Sequence, residues 1–253
     1  MKKTTDIPVA SLLMASLLLA GACRPRAAEL PAVPNQAQST TNSATNNLAT
    51  KPSAPVRYTA QSTNTSVTIQ GTSTFHDWDM KGPSIGGFLE FPAAVNFDTN
   101  QATLPGLKDG LLPVSGRANI LIRTIHSQVA HLPEVMDGLM QDAMNQTNFP
   151  VITYNVTELK LQQPRAAGQP FVFDAKGDLA IAGVTNKAVA FPVTIVPLDK
   201  AKIKISGKAK LKMTDYKVNP PAPNILGLGL MKCGDDVTIV FDWTLMRTTP
   251  PAP

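Results

Sequence analysis

Between Ala201 and Met213 the chain reads AKIKISGKAKLKM, and apolar or small residues alternate with polar ones without a break. Ala201, Ile203, Ile205, Gly207, Ala209, Leu211 and Met213 fall on one side, with Lys202, Lys204, Ser206, Lys208, Lys210 and Lys212 on the other. A helix would scatter those lysines around its whole circumference. Period two therefore requires a β-strand with one dry and one wet face. At ~3.3 Å per residue the segment reaches ~43 Å, about twice the common strand length.

The rhythm recurs along the chain. In VTIVFDWTL, Val237, Ile239, Phe241, Trp243 and Leu245 face one way, as do Ile85, Gly87, Leu89, Phe91, Ala93, Val95 and Phe97 in SIGGFLEFPAAVNF. FVFDAKGDLAI sets Phe171, Phe173, Ala175, Leu179 and Ile181 against Asp174, Lys176 and Asp178. RANILIR turns Ala118, Ile120 and Ile122 inward, and KAVAFPVTI turns Val189, Phe191, Val193 and Ile195. With VTIQG near residue 67 and VITYNV near residue 151, about eight strands emerge. Links such as Gly183-Val184-Thr185-Asn186 suggest antiparallel hairpins. One segment departs from the pattern. In LPEVMDGLMQDAMNQ, Leu132, Val135, Met136, Leu139, Met140 and Ala143 recur at helical spacing, with Pro133 suited to a first turn.

The pattern implies an all-β fold, an antiparallel β-barrel of about eight strands with one short α-helix. A two-sheet sandwich is the structural rival. The length of the lysine strand and its small inward residues Ala201, Gly207 and Ala209 favour a barrel with a tunnel. Facing aromatics such as Phe241 and Trp243 could equally fill the space and leave a solid core.

The N-terminus reads as an address. Lys2 and Lys3 precede an uncharged apolar run from Pro8 to Ala22. Those residues would span only ~22 Å as a helix, short of the ~30 Å hydrocarbon core, which fits a signal peptide better than a membrane anchor. Ala20-Gly21-Ala22 followed by Cys23 resembles a bacterial lipobox, in which the cysteine is acylated and becomes the mature N-terminus. The match departs at Ala20, where leucine is usual, and simple secretion is the alternative. Arg24 follows the cysteine, and the absence of an aspartate there points by analogy to the outer membrane rather than the inner one. From Arg24 to Val56 the chain has no aromatic residue and five prolines, and is expected to be a disordered tether. The expected organisation is a signal peptide over 1–22, a lipidated N-terminus and linker over 23–56, a barrel domain over 57–247 and a disordered tail over 248–253.

Composition excludes several classes. The net charge is +5 and 43% of residues are hydrophobic, too few for a multi-span membrane protein and without the basic–aromatic interleaving of nucleic-acid binders. His126, His131 and Glu134 match no common zinc spacing, so no metal is expected. His76-Asp77-Trp78 could seat a base beside a carboxylate, but no nucleophile motif accompanies it, and the plainer expectation is a loop hydrogen bond. Cys233 in MKCGDD suits a half-buried structural thiol better than a reactive one. The lysine stripe reads as a solvated, edge-protecting strand surface, with headgroup contact as the lesser option.

Four blocks together resemble the YceI-like family of bacterial envelope proteins, the lipid- or polyisoprenoid-binding YceI-like domain. They are GTSTFHDWDM, MDGLMQDAMNQTNFPVITY, GDLAIAGVTNKAVAFPVTI, and KAKLKMTDYKVNPPAP with CGDDVTIVF. They fall in family order over nearly the whole expected barrel. The resemblance implies an extended, lipocalin-like barrel that binds a long isoprenoid or other lipid chain inside, without catalysis and with no cofactor beyond that lipid. On this expectation Ile203, Ile205, Leu211, Met213, Ile239, Phe241, Trp243 and Phe91 are cavity candidates, His76, Asp77 and Trp78 are loop candidates, and Cys23 is the lipidation site. The apolar, glycine-rich stretch from Pro220 to Lys232 is a candidate gate at the cavity mouth. The alternative is an envelope interaction lipoprotein with a packed core, acting through its basic surface. The expected partners are an apolar lipid and, through the anchor, the membrane, with no nucleic acid. Replacing Cys23 with alanine should move the protein out of the membrane fraction; unchanged fractionation would refute the anchor.

Overall fold

The computed structural model describes residues 54–129, 132–163, 165–222 and 232–248. The leader, the tether up to residue 53, His131, the tail beyond residue 248 and most of the expected gate, residues 223–231, lie outside the described residues. The strands are β1 (Val56–Ala60), β2 (Ser66–Ser73), β3 (Asp77–Gly82), β4 (Gly86–Phe91), β5 (Leu111–Leu112), β6 (Ser115–Leu121), β7 (His126–Ser127), β8 (Val151–Leu161), β9 (Phe171–Ile181), β10 (Val184–Pro197), β11 (Lys202–Lys212) and β12 (Cys233–Thr248). One α-helix, α1 (Pro133–Ala143), sits between β7 and β8.

Every pairing is antiparallel, and the order β1-β4-β6-β8-β9-β10-β11-β12 returns to β1 through the β1–β12 ladder. The result is a closed eight-stranded barrel. β1 and β2 lie end to end along β12, which pairs Leu245 with Ala60 in one half and Asp242 with Ser66 in the other. β2 in turn pairs with β3, and β3 with β7. The barrel is the expected architecture rather than the sandwich.

Several boundaries differ from the sequence expectation. β1 and β3 had no counterpart, because VRYTA is only five residues long and DWDMKG carries two aspartates and a lysine. Asp77 and Trp78 are therefore strand residues of β3, not loop residues; only His76 of that trio stands in the turn. The first turn of the β9–β10 hairpin is Ala182-Gly183, both at positive φ, and Val184 already pairs with Ile181. β4 stops at Phe91, and Val95 and Phe97 reach the core from the following loop. β11 is bounded on both sides by β10 and β12, so its lysines do not guard an edge.

Two of those lysines meet carboxylates on β12: Lys204 lies 3.3 Å from Asp242 and Lys212 lies 3.1 Å from Asp236. Beneath this wet face, Ile203, Ile205 and Ala209 are buried, as the alternation requires.

One end of the barrel is sealed by aromatic rings. Tyr58, Phe91, Phe97 and Phe171 pack edge to face, with successive ring centroids 5.2 to 5.9 Å apart along Tyr58–Phe91–Phe97–Phe171. Arg165 closes over Phe171, its guanidinium carbon 3.8 Å from the ring centroid, while its Nη2 donates to the Thr99 carbonyl at 2.7 Å. Edge-to-face rings add to the gain from burying their area, and the flat guanidinium stacks on the π-face while its edge serves the loop carbonyls. Phe171 is fully buried, so Phe171→Ala should lower unfolding stability by about 3–5 kcal/mol in chemical denaturation. Lys208→Ala on the exposed face should change it by less than about 0.5 kcal/mol.

Candidate ligand-binding interior

β11 and β12 run side by side and index the interior from one end to the other. Leu211 pairs with Val237, Ala209 with Ile239, Gly207 with Phe241, Ile205 with Trp243 and Ile203 with Leu245. Three cavities follow that order. The outer one is lined by Leu211, Met213, Val237 and Ile239 with Trp78, Met80 and the α1 residues Met136, Leu139, Met140 and Ala143. The middle one is lined by Ala209, Ile239, Phe241 and Trp243 with Ile120 and Phe191, and the inner one by Ile205, Phe241 and Trp243 with Leu159, Ala175 and Ile195. The outer and middle cavities share Ile152 and Ile239; the middle and inner ones share Ala118, Tyr154, Phe191, Phe241 and Trp243. The space in which the centre of a water-sized group can sit is about 100, 70 and 50 Å³ in turn. Together they trace about 20 Å of strand, or ~15 Å along a barrel axis inclined at the usual strand tilt.

The walls are almost wholly apolar. Lys212 is the one charged residue lining the outer cavity, and none lines the other two. In the inner half the polar atoms belong to Tyr154 and Trp243. Tyr154 Oη donates to the Val189 carbonyl at 3.0 Å, and burial pushes its phenol well above the ordinary range, with the Asp178 carboxylate adding to the effect. Such a wall can select an apolar chain by length and width and offers no group for acid–base work at its depth.

Close backbone approach makes room for the rings. A Cβ on Gly71 would stand 2.1 Å from Trp78 Cζ2, so the indole lies flat against β2, held by its Nε1 donating to the Thr72 carbonyl at 3.0 Å. On Gly207 a Cβ would meet Phe241 Cζ at 2.5 Å. The small residues of the lysine strand thus give space to facing aromatics, and cavities remain beside them.

A family model for the YceI-like domain matches residues 58–245. The chain belongs to the YceI-like family. Among solved structures it is similar to a polyisoprenoid binding domain from Saccharophagus degradans, with a TM-score of 0.52 at 14% identity over 76% of this chain and 98% of that one. It is also similar to BcnA from Burkholderia cenocepacia, with a TM-score of 0.50 at 14% identity over 73% of this chain and 98% of that one. At this identity both support the fold alone. No curated protein matches the chain.

Within this YceI-like barrel the cavity candidates separate into two groups. Ile205, Leu211, Met213, Ile239, Phe241 and Trp243 line the three cavities, whereas Phe91 and Ile203 do not. Phe91 belongs to the aromatic plug and Ile203 is 2% exposed at the same end, paired with Leu245. Trp78, expected in a loop, is instead a wall residue of the outer cavity. His76 is exposed, and its Nδ1 lies 2.8 Å from the Asp77 carbonyl oxygen. His126 Nδ1 sits 2.7 Å from Asp137 Oδ2, and the Ser127 amide donates to Asp137 Oδ1 at 2.6 Å. That carboxylate ties α1 to β7. Among the described residues no group of three potential ligands could hold a metal, and no helix is long and apolar enough to cross a membrane.

Tyr216 and Val218 also wall the outer cavity, with no signal in the alternation to mark them, and Pro221, at the start of the expected gate, lines it beside them. Asp235 holds that segment: it accepts from the Thr214 amide at 2.9 Å and hydroxyl at 2.7 Å, and these bonds lower its carboxyl below the ordinary range. Helix α1 has no fully buried residue, and Leu132 and Val135 face outward at 45% and 46% exposure. Only Met136, Leu139, Met140 and Ala143 of its expected apolar face reach the cavity.

Cys233 lines the outer cavity, where burial pushes its thiol above the ordinary value. With Cys23 replaced by alanine, Cys233 is the single thiol of the chain. Its alkylation at pH 8 should run slower than that of free cysteine, because less thiolate is present. A saturating apolar chain should slow it further; a rate indifferent to the chain would mean that the outer cavity is not the binding site.

Proposed function

We propose that this protein binds a long apolar lipid, such as an isoprenoid, in its barrel interior, for storage or shuttling within the cell envelope and without catalysis. The observation that carries this is the run of three adjoining apolar cavities from α1 to the aromatic plug. The likeness to a polyisoprenoid binding domain supports it. Burial of each methylene contributes about 0.8 kcal/mol, so a chain along this interior supplies ample gross affinity before ordering costs offset part of it. A signal peptide over 1–22 and acylation of Cys23 would export the barrel and tether it to the membrane that holds such lipids. The outer membrane is the proposed destination. In this arrangement the linker over 24–56 is a leash of roughly 30 Å root-mean-square reach, and the exposed lysines remain a secondary surface for headgroups.

Solvent extraction of gently purified protein, followed by mass spectrometry, tests the proposal. The wild type should yield a long-chain lipid in near-stoichiometric amount. Ala209→Phe places a ring in the middle cavity, where Ala209 is 4% exposed. That variant should keep its β circular dichroism and lose most of the lipid. Absence of lipid in the wild type, or equal recovery from both, would contradict the proposal.

A further inference from the structure

The wall of the barrel is parted along one seam. β10 pairs with β9 as far as Val184–Ile181, and β11 pairs with β12 as far as Lys212–Asp236, but the ladder between β10 and β11 stops at Val193–Gly207. Beyond that pair both strands continue toward the outer cavity with no shared register, through Pro192 to Val184 on one lip and Lys208 to Lys212 on the other. The chain itself ends the ladder, because Pro192 has no N–H to donate. Further along, β10 is bulged between Asn186 and Val189, with Ala188 at φ 57, and a bulge bends the strand that carries it. Val189 gives its carbonyl to the Tyr154 hydroxyl rather than to β11. At the far end Asn186 Nδ2 donates to the Asp215 carbonyl at 3.0 Å, so the gap is a slit tied at both ends.

Burial follows the split. On the inward face of β10, Ile195 and Val193 are 0% and 4% exposed, whereas Phe191 and Val189, the next two on that face, are only half-buried. Behind the slit lies the middle cavity, lined from one lip by Phe191 and from the other by Ala209. The Phe191 ring rests on Tyr154 and Phe241, with centroids 4.9 and 6.0 Å away. Outside, the β10 lip carries Ala188, Ala190 and Pro192, all exposed and uncharged.

We propose that the apolar chain enters and leaves the barrel sideways, through the slit between β10 and β11, with the Phe191 ring as its shutter. This rests on the proposal that the interior holds a lipid, and adds where the lipid passes the wall. Along β11–β12 a passing chain would have to break a run of ladder hydrogen bonds. Between β10 and β11 it meets one ring and the Asn186–Asp215 bond, and segments with few such ties open most readily. A chain admitted at this height can extend inward to Trp243 and outward to α1. The rival route is the mouth beneath α1.

The test uses the full-length chain with Cys23→Ala and Cys233→Ala, which has no thiol. Ala190→Cys and Lys210→Cys, at exposed positions on the two lips, are joined by a short bis-methanethiosulfonate, and dithiothreitol releases the bridge. A control bridge joins Lys210→Cys to Thr238→Cys, partners in the unbroken β11–β12 ladder, and leaves the slit free. Stopped flow follows uptake of a bromine-tipped dodecanol, whose bromine quenches the wall residues Trp78 and Trp243. The slit bridge should slow quenching roughly tenfold or more, with recovery on reduction, while the control bridge should change it by less than about twofold. Equal rates before and after reduction, or equal slowing by both bridges, would overturn the side entrance and assign passage to the mouth, with lipid binding intact. No quenching in any form would overturn the binding proposal as well.

Discussion

The ladder between β1 and β12, Arg57 with Thr248 through Ala60 with Leu245, joins the first strand of the barrel to the last. Without it the sheet would have two open edges and its dry face would need a second layer to cover it. With it, the dry face becomes an inside. Each inward residue then has one of two roles, set by its height along the strands. Near Ile203 and Leu245 the interior is filled by Phe91, Phe97 and Phe171; above Ile205 and Trp243 it is left partly open.

The open part depends on where rings and small residues face one another. Gly207 accepts the Phe241 ring against the sheet, and Gly177 does the same for Tyr154, whose Cζ would lie 2.8 Å from a Cβ there. β9 is flanked at this level by register shifts in both neighbours, between Val156 and Glu158 and between Asn186 and Val189. Bulges bend and twist their strands, and here they lie beside Tyr154, whose hydroxyl donates to the Val189 carbonyl next to Ala188, a residue at φ 57. The open interior is thus shaped by backbone irregularities as much as by side-chain choice.

Much of the barrel was legible because a face that must be dry repeats every second residue. The lysine strand, β9 and β12 stand out for that reason, and α1 because its apolar residues change to helical spacing. β3 was hidden because only Met80 and Gly82 are buried in it and its charges resemble a turn. Phe91 and Ile203 were placed among cavity residues because alternation tells inside from outside and nothing about height. Their distinction from Ile205 arises from contacts between strands far apart in sequence, Phe97 to Phe171 among them.

The central claim is that an apolar chain lies inside the barrel, beyond the outer cavity. Isotope-filtered nuclear Overhauser spectra of labelled protein with an unlabelled long-chain lipid test it most directly. The account expects contacts from the chain to the methyl groups of Ile239 and Ile205, two levels of the same interior. Contacts confined to Val135 or other exposed residues, with Ile239 and Ile205 silent, would contradict it.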